Sequence, residues 1–389
     1  MFLLQNIPPH NIYPITLTMN KSSIFFSALA GIVLSGIGLQ AQTVATDPVG
    51  FVQPFATSPN MLANSDTQVS VPFTRPPEFV GATSAATAST LTVSGSPWTS
   101  GQFVYTAGTQ PKTYFVLIGP HASTNPKEGR MFQITSNTTN QLTLSTGGDD
   151  LSSVAANTQI LVLPYQTLNS IFPASDAGVS FIVSPNSINR QTQVFIPNYG
   201  GTGTNLPPAI TYYYLNASPN IGWRQFGRPL TEDHGDDAMP NAGYFTVRNA
   251  AAGTTLTTLG SVLTKKATIP LFTKVGTAQD NFVSLIRPVD VQLNDLGLIT
   301  SGAFTPSPSS VNRIDQLFVF DPAQVATNKQ PSATYYYITQ GANAGWRKFG
   351  QPATTDSGTD AIKAGSGFII RKGATVGGAS AFWTNAPTY

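Results

Sequence analysis

GWRQFGRPLTEDHGDDA, residues Gly222–Ala238, returns later in the chain as GWRKFGQPATTDSGTDA, residues Gly345–Ala361. Both stretches lie in longer segments, Ser184–Arg248 and Ser307–Arg371, which align without a gap at an offset of 123 residues. By direct count, 28 of the 65 aligned positions are identical. Self-similarity of this length predicts one structural unit written twice.

Each copy has the pattern of short strands separated by turns. In the triplet Tyr335-Tyr336-Tyr337 the outer two rings are expected on one face, because side chains alternate along a strand. The predicted strands of the second copy are β-branched and aromatic runs bounded by Asp, Pro, Asn and Gly: Gln316–Phe320, Thr334–Ile338 and Gly367–Ile370. We therefore expect two homologous β-sandwich-like units.

The region before the repeat has a different pattern. It contains runs typical of strands: Thr90–Ser94, Gln102–Tyr105, Tyr114–Ile118, Met131–Thr135 and Gln141–Ser145. No helical periodicity of useful length follows the N-terminal leader. The predicted fold class is all-β: an N-terminal β-barrel or sandwich at 42–162, a first unit at 163–261, a linker at 262–285 and a second unit at 286–389.

The first forty residues have the pattern of a targeting segment. We interpret residues 1–18 as an upstream extension, with synthesis starting at Met19, and residues 19–41 as a signal peptide. A basic start at Lys21 precedes an apolar core, Ile24–Leu39, and cleavage is expected before Gln42. The alternative is that the segment is retained as a membrane anchor. The pattern predicts export through the general secretory pathway to the extracellular space, the cell surface or the periplasm. No later apolar run is long enough to predict a transmembrane span in the mature chain.

Composition excludes several functional classes. Charged residues make up 10% of the chain and hydrophobic residues 41%, which predicts a folded protein with an uncharged polar surface rather than a disordered one. The net charge is +2 and no basic run occurs, so nucleic acid is not an expected partner. The absence of cysteine excludes disulfides and zinc–thiolate sites.

Four short stretches resemble a known family: Thr46-Asp-Pro-Val-Gly-Phe, Ser65-Asp-Thr-Gln-Val-Ser-Val-Pro-Phe, Gly367-Phe-Ile-Ile-Arg and Phe382-Trp-Thr-Asn-Ala-Pro-Thr-Tyr. They are similar to an uncharacterised secreted paralogous family of verrucomicrobial-type bacteria. The resemblance implies export and membership of a set of paralogues. It implies no activity, and no site residue is carried over.

The acidic loop within the repeat is the first candidate site. Asp233 and Asp237 flank a glycine in the first copy, and Asp356 and Asp360 do so in the second. Two carboxylates with nearby carbonyl and hydroxyl oxygens are ligands that Ca²⁺ accepts, although the spacing is not that of an EF-hand. The alternative is that these aspartates cap turns by accepting bonds from nearby backbone N–H groups.

The repeated tryptophans are the second candidate. Trp223 and Trp346, together with the tyrosine triplets, have the ring faces that a carbohydrate platform needs. The alternative is packing, because large aromatic side chains dominate β-sandwich cores, with the neighbouring arginine stacked on a ring or bonded to loop carbonyls.

No catalytic motif occurs in the chain. Apart from His10 in the leader, only His121 and His234 are available, and neither a Gly-x-Ser-x-Gly elbow nor a His-Glu-x-x-His motif is present. The sequence therefore favours a secreted or cell-surface structural or adhesive protein that contacts itself or polysaccharide. The alternatives are a carbohydrate-binding protein and, third, an extracellular hydrolase.

Overall fold

The computed structural model describes residues 48–55, 58–339, 341, 343–375 and 378–387. The predicted leader, signal peptide and cleavage site lie outside these residues. Within the described part of the chain, no helix is long and apolar enough to cross a membrane. The fold is all-β, as predicted.

A closed six-stranded antiparallel barrel follows the first two strands of the chain. Its spatial order is β3-β4-β7-β6-β5-β8. The strands are β3 Phe79–Ala86, β4 Thr90–Val93, β5 Tyr114–Ile118, β6 Met131–Asn137, β7 Gln141–Ser145 and β8 Gln159–Pro164. The barrel alternative of the sequence prediction is therefore correct. Closure depends on the pairing of β3 with β8, which brings Phe79 opposite Val162.

One predicted barrel strand is wrong. Residues 102–105 form turns rather than a strand. The Phe103 side chain is fully buried and belongs to the core cluster inside the barrel. Its backbone N–H donates to the Oδ1 of Asn137 at 3.0 Å. The apolar run that resembles a strand is thus a plug for the barrel, held by a side-chain acceptor instead of a neighbouring strand.

Two five-stranded antiparallel sheets contain the repeated segments. The first has the order β11-β10-β9-β12-β2 and the second β15-β21-β17-β18-β19. The first consists of β2 Ser65–Val69, β9 Thr192–Ile196, β10 Ile210–Leu215, β11 Gly222–Gln225 and β12 Phe245–Asn249. The second consists of β15 Gln279–Ser284, β17 Gln316–Val319, β18 Ala333–Ile338, β19 Gly345–Lys348 and β21 Gly367–Lys372. The strand pairings of the two sheets correspond one to one.

The sheets do not follow the boundaries expected from the sequence. Strand β2 comes from the stretch assigned to the N-terminal domain, and β15 comes from the stretch assigned to the linker. Each sheet takes its fifth strand from a segment that precedes the recognisable repeat. In the first sheet that strand is separated from the rest by the whole barrel, which begins at Phe79 and ends at Pro164.

Three two-stranded ribbons and a few helical turns complete the fold of the described residues. The ribbons pair β1 Val49–Val52 with β13 Thr258–Ser261, β14 Ala267–Leu271 with β22 Ala381–Asn385, and β16 Val291–Gln292 with β20 Ala361–Ile362. The helical turns are α1 Leu168–Ile171 and the 3₁₀ turns Ala174–Asp176 and Leu293–Asp295.

The barrel shares a core with the second sheet. Strand β5 is buried along its whole length because its two faces pack on different cores. Tyr114 and Val116 face the barrel interior, whereas Phe115 and Leu117 join the cluster that contains Trp346. The unbroken apolar run at 114–118 is explained by this double burial, since alternation would be expected for a strand with one wet face.

Candidate functional site

The repeated tryptophan of each copy lies in a core. Trp223 is 0% exposed and Trp346 is 1% exposed. Trp223 packs edge-on against Tyr214 with ring centres 5.6 Å apart, and Trp346 packs in the same way against Tyr337 at 5.5 Å. An indole without accessible surface offers no face to a sugar ring. These residues therefore form the core that the packing alternative predicts and not a glycan platform.

The arginine after each tryptophan covers the edge of its sheet. β11 and β19 are edge strands, whose outward carbonyl groups need donors. Arg224 donates from Nη1 to the carbonyl of Trp223 at 2.9 Å and from Nη2 to that of Ile221 at 3.1 Å. The corresponding bonds in the second copy run from Arg347 to the carbonyls of Trp346 and Ala344, at 2.7 and 2.9 Å. Of the two roles predicted for these arginines, bonding to carbonyl groups is the one observed.

The acidic loop folds over the same edge. The backbone N–H of His234 donates to the carbonyl of Trp223 at 3.0 Å, and that of Ser357 donates to the carbonyl of Trp346 at 2.9 Å. Loop and arginine together pair the backbone groups that an edge strand would otherwise present to another chain.

The first aspartate of each loop is held by its own surroundings. Asp233 accepts a bond at Oδ1 from the backbone N–H of Gly235 at 2.8 Å, and its Oδ2 lies 3.6 Å from Nη1 of Arg224. In the second copy Asp356 accepts a bond from Nη1 of Arg347 at 2.8 Å. The carboxylates thus balance the charge of the arginines that cap the sheet edges.

The second aspartate of each loop binds a tyrosine from the sheet. Asp237 accepts from the hydroxyl of Tyr212 at 2.7 Å, and Asp360 accepts from the hydroxyl of Tyr335 at 2.9 Å. Burial, and then the hydrogen bond to the aspartate, raises the pKa of both tyrosines well above its usual value. Both phenols are therefore neutral donors that tie the acidic loop to the sheet.

The four aspartates predicted as calcium ligands all have protein partners. Calcium takes six to eight oxygen ligands. Among the residues that the structure describes, no group of three or more Asp, Glu or His side chains is placed to hold a metal ion. Asp233 fits the turn alternative, because it accepts from the backbone N–H of Gly235. The other three aspartates bind side chains instead, those of Arg347, Tyr212 and Tyr335.

A glycine at the start of each edge strand is required by this packing. Gly222 has a φ of +133°, and a Cβ there would lie 2.4 Å from Oδ2 of Asp233. Gly345 has a φ of +120°, and a Cβ there would lie 2.9 Å from Oδ1 of Asp356. Both the backbone conformation and the close approach exclude a larger residue.

Neither described histidine completes a catalytic triad. His234 contacts Asp237, with Nδ1 3.0 Å from Oδ2, and its Nε2 lies 3.7 Å from Glu232. His121 contacts the hydroxyl of Ser123 at 2.8 Å. Within the part of the chain that the structure describes, neither imidazole joins a serine to a carboxylate, which a triad requires.

The first sheet carries a buried ion pair that sequence reasoning missed. Asp66 accepts from Nε and Nη2 of Arg248 at 2.6 and 2.7 Å. A loop of the second repeated segment completes the group: the backbone N–H of Asn328 donates to Asp66 at 2.6 Å, and its Oδ1 accepts from Arg248 at 2.8 Å. We call Asp66, Arg248 and Asn328 the first clasp.

The second clasp consists of Asp280, Arg371 and Asn205. Asp280 accepts from Nε and Nη2 of Arg371 at 2.6 and 2.9 Å. The backbone N–H of Asn205, from the first repeated segment, donates to Asp280 at 2.8 Å, and its Oδ1 accepts from Arg371 at 3.1 Å.

The two clasps are reciprocal. Asn205 and Asn328 are equivalent in the alignment, and each completes the clasp of the other sheet. The adjoining edges of the two sheets are reciprocal as well. The backbone N–H of Ser70 donates to the carbonyl of Gly365 at 2.9 Å, and the backbone N–H of Ser284 donates to the carbonyl of Ala242, the equivalent of Gly365, at 3.0 Å. Each contact made by the first sheet with the second is thus matched by the equivalent contact of the second with the first. Such reciprocity indicates a local two-fold axis between the sheets, as in an isologous dimer.

A weak sequence signal marks both clasps. Asp66-Thr-Gln-Val-Ser70 and Asp280-Asn-Phe-Val-Ser284 share the pattern Asp-x-x-Val-Ser. The alignment at an offset of 123 residues does not detect this pattern, because the barrel lies between Asp66 and the first repeated segment whereas no such insertion follows Asp280. Searches against family models, curated proteins and solved structures found no match to this chain, so its function is argued from its own residues.

Proposed function

We propose that this protein is a secreted or cell-surface structural or adhesive component. One observation supports this most: the repeated Trp, Arg and Asp residues, the best candidates for a chemical site, all have structural partners. They pack the cores, cap the edges of the sheets and tie the loops down. A chain in which the repeated motif stabilises the fold, rather than forming a ligand site, is suited to a mechanical or scaffolding role.

The surface composition agrees with this role. Only 10% of the residues are charged, so the exposed polar groups are largely Thr, Ser, Asn and Gln. Such a surface is suited to contact with polysaccharide or with other copies of the chain, because it carries little like-charge repulsion. The export signal predicted at 19–41 supports the proposal, because it would direct the chain to where such partners occur.

Fractionation of the native host tests the proposal. We expect the protein in the cell-surface or extracellular fraction, with an N-terminus at or near Gln42 by mass spectrometry. A strain that lacks the gene should show weaker cell–cell or surface adhesion, and the wild-type gene should restore it. Accumulation in the cytoplasm, with peptides from Ile24–Leu39 intact, would contradict the proposal.

Carbohydrate binding is the second candidate. Buried Trp223 and Trp346 do not support it, but two exposed phenylalanine–arginine pairs do, and these pairs lead to a more specific inference.

A further inference from the structure

A turn at the start of each repeated segment presents an aliphatic side chain to solvent. Ile188 is 87% exposed and Val311, its equivalent, is 86% exposed. In the first copy Oδ1 of Asn186 accepts bonds from the backbone N–H groups of Ile188 and Asn189, at 3.0 and 2.7 Å, and these bonds fix the turn. Side chains this exposed bury almost nothing within the chain, so packing does not explain why both copies place a β-branched aliphatic residue there.

The same turn positions an arginine over an exposed ring. The guanidinium carbon of Arg190 lies 4.7 Å from the ring centre of Phe226, and that of Arg313 lies 4.6 Å from Phe349. Phe226 is 60% exposed and Phe349 is 59% exposed. We call Ile188, Arg190 and Phe226 the first patch, and the equivalent Val311, Arg313 and Phe349 the second patch.

The patches are alike in the two copies. The arginine and phenylalanine are identical, and isoleucine is replaced only by valine. In the loop after each phenylalanine, Gly227, Pro229 and Thr231 are retained in the second copy, whereas Arg228, Leu230 and Glu232 are replaced. The patch residues are therefore kept beside exposed positions of which half have changed.

The chemistry of a patch selects its partner. Each ring has one face under a guanidinium and remains more than half exposed, so its other face is available to the weakly positive C–H groups of a sugar ring. The backbone carbonyl of Ser187 accepts from Nη1 of Arg190 at 2.7 Å, while Nη2 has no partner in the described chain. A guanidinium with a free N–H group is suited to a carboxylate.

Contact between two patches is disfavoured. It would place Arg190 or Arg313 against another arginine, and like charges that face each other across an interface oppose association. An anionic partner removes that repulsion, so charge complementarity favours a carboxylate-bearing glycan over a second copy of the chain.

The strand order places each patch at the outer edge of its own sheet. Each phenylalanine follows an edge strand, β11 or β19. These edges are opposite to β2 and β15, which face the junction of the sheets. Two equivalent shallow sites on separate sheets are suited to two places on a repeating polymer, because linked sites multiply a weak affinity.

We infer that the first and second patches are two equivalent binding sites through which the protein cross-links an acidic polysaccharide. This rests on the proposed function and deepens it by naming the partner. The purified chain from Gln42 onward should bind polygalacturonate at low salt and make its solutions turbid, and both effects should weaken as salt screens the charges. Dextran of matched length, which lacks carboxylates, should not be bound.

Single and double variants separate binding from cross-linking. Phe226→Ala and Phe349→Ala should each abolish turbidity but keep binding, measured by calorimetry. The double variant should weaken the apparent affinity for polygalacturonate at least tenfold, as expected for the loss of linked sites. Phe51→Ala removes a phenylalanine that is 72% exposed and belongs to neither patch, so it should behave as wild type. Circular dichroism of each variant verifies folding.

Three results would overturn the inference. The first is no binding of polygalacturonate by a folded wild-type chain, and the second is equal binding of dextran. The third is association of the chain with itself, without polysaccharide, that the double variant abolishes, since this would make a second copy the partner. Fractionation of the host is independent of these assays, so surface location without polysaccharide binding would reject the inference and leave the proposed function standing.

Discussion

Removal of the charge of Asp280 should destabilise the whole described fold. The Asp280 side chain is 1% exposed, and its carboxylate accepts two bonds from Arg371 and one from the backbone of Asn205. Asp280→Asn keeps the shape but turns an N–H group towards donors and leaves the guanidinium without a counter-ion. Breaking a buried pair from one side typically costs about 3–5 kcal/mol. Because Arg371 is 22% exposed and can recruit water, we expect about 3 kcal/mol.

Urea unfolding followed by tryptophan fluorescence measures this cost. The midpoint should fall while the slope of the transition stays constant, which is the mark of a change in stability alone. Asp290→Asn is the matched control, because its ion pair with Lys363 is largely exposed and should contribute less than about 1 kcal/mol. Asp66→Asn, in the first clasp, should match Asp280→Asn to within about 1 kcal/mol.

Two outcomes would refute this reasoning. If Asp280→Asn costs no more than Asp290→Asn, the second clasp does not hold the sheets together. If Asp66→Asn and Asp280→Asn affect two separate transitions, the sheets unfold independently and the reciprocal contacts do not couple them. Replacing both Asp280 and Arg371 with leucine should recover much of the loss, because no lone charge is left buried.

Three further predictions concern the core, the tyrosines and metal. Trp346→Ala should lower the free energy of unfolding by about 3–5 kcal/mol in the same urea assay, whereas exposed Phe349→Ala should change it by less than about 1 kcal/mol. Burial raises the pKa of Tyr165 to about 12, so the folded state keeps a proton that the unfolded chain loses near pH 10. This residue alone should lower stability by roughly 2 kcal/mol as pH rises from 10 to 12. Tyr165→Phe should reduce the total fall by that amount, and the remainder should come from other tyrosines with a raised pKa, such as Tyr212 and Tyr335. Addition of EGTA should leave the thermal midpoint unchanged, and a decrease that calcium reverses would restore the metal hypothesis for the Asp233 loop.

Local patterns predicted the strands well where a residue's neighbours along the chain determine its environment. Tyr114–Ile118 and Gln141–Ser145 are both strands with the predicted bounds. The alternation expected for the tyrosine triplet is correct too, because Tyr335 and Tyr337 contact the core cluster while Tyr336 lies on the other face beside Arg313.

The pattern failed where tertiary contacts override it. Gln102–Tyr105 has the composition of a strand, but Phe103 fills the barrel, and the chain turns around it. The stretch 262–285 was predicted to be a linker, yet it contains β14 and β15. Its strands pair with segments about one hundred residues away, and no local signal specifies such partners.

The candidate site required a different kind of information. The repeat identified Trp223 and Asp233 as important residues. It did not decide between a binding role and a structural role, because the same side chains serve at a ligand site and in a core or turn. The clasps were missed since Asp66 and Asn328 are separated by most of the chain. Only the fold brings them to the same sheet edge.

The buried ion pairs explain how the two sheets are positioned against each other. Few residues of the chain are charged, yet three aspartates in its described part are buried almost completely, each against one cation: Asp66, Asp280 and Asp315. Buried ion pairs add little net stability over apolar packing, but a misplaced one is costly, so they penalise every arrangement that separates the partners. Each sheet is held to a loop of the other by one such pair, Asp66–Arg248 in the first sheet and Asp280–Arg371 in the second. We infer that the clasps specify how the two sheets meet, and that the apolar cores provide most of the free energy that holds them there.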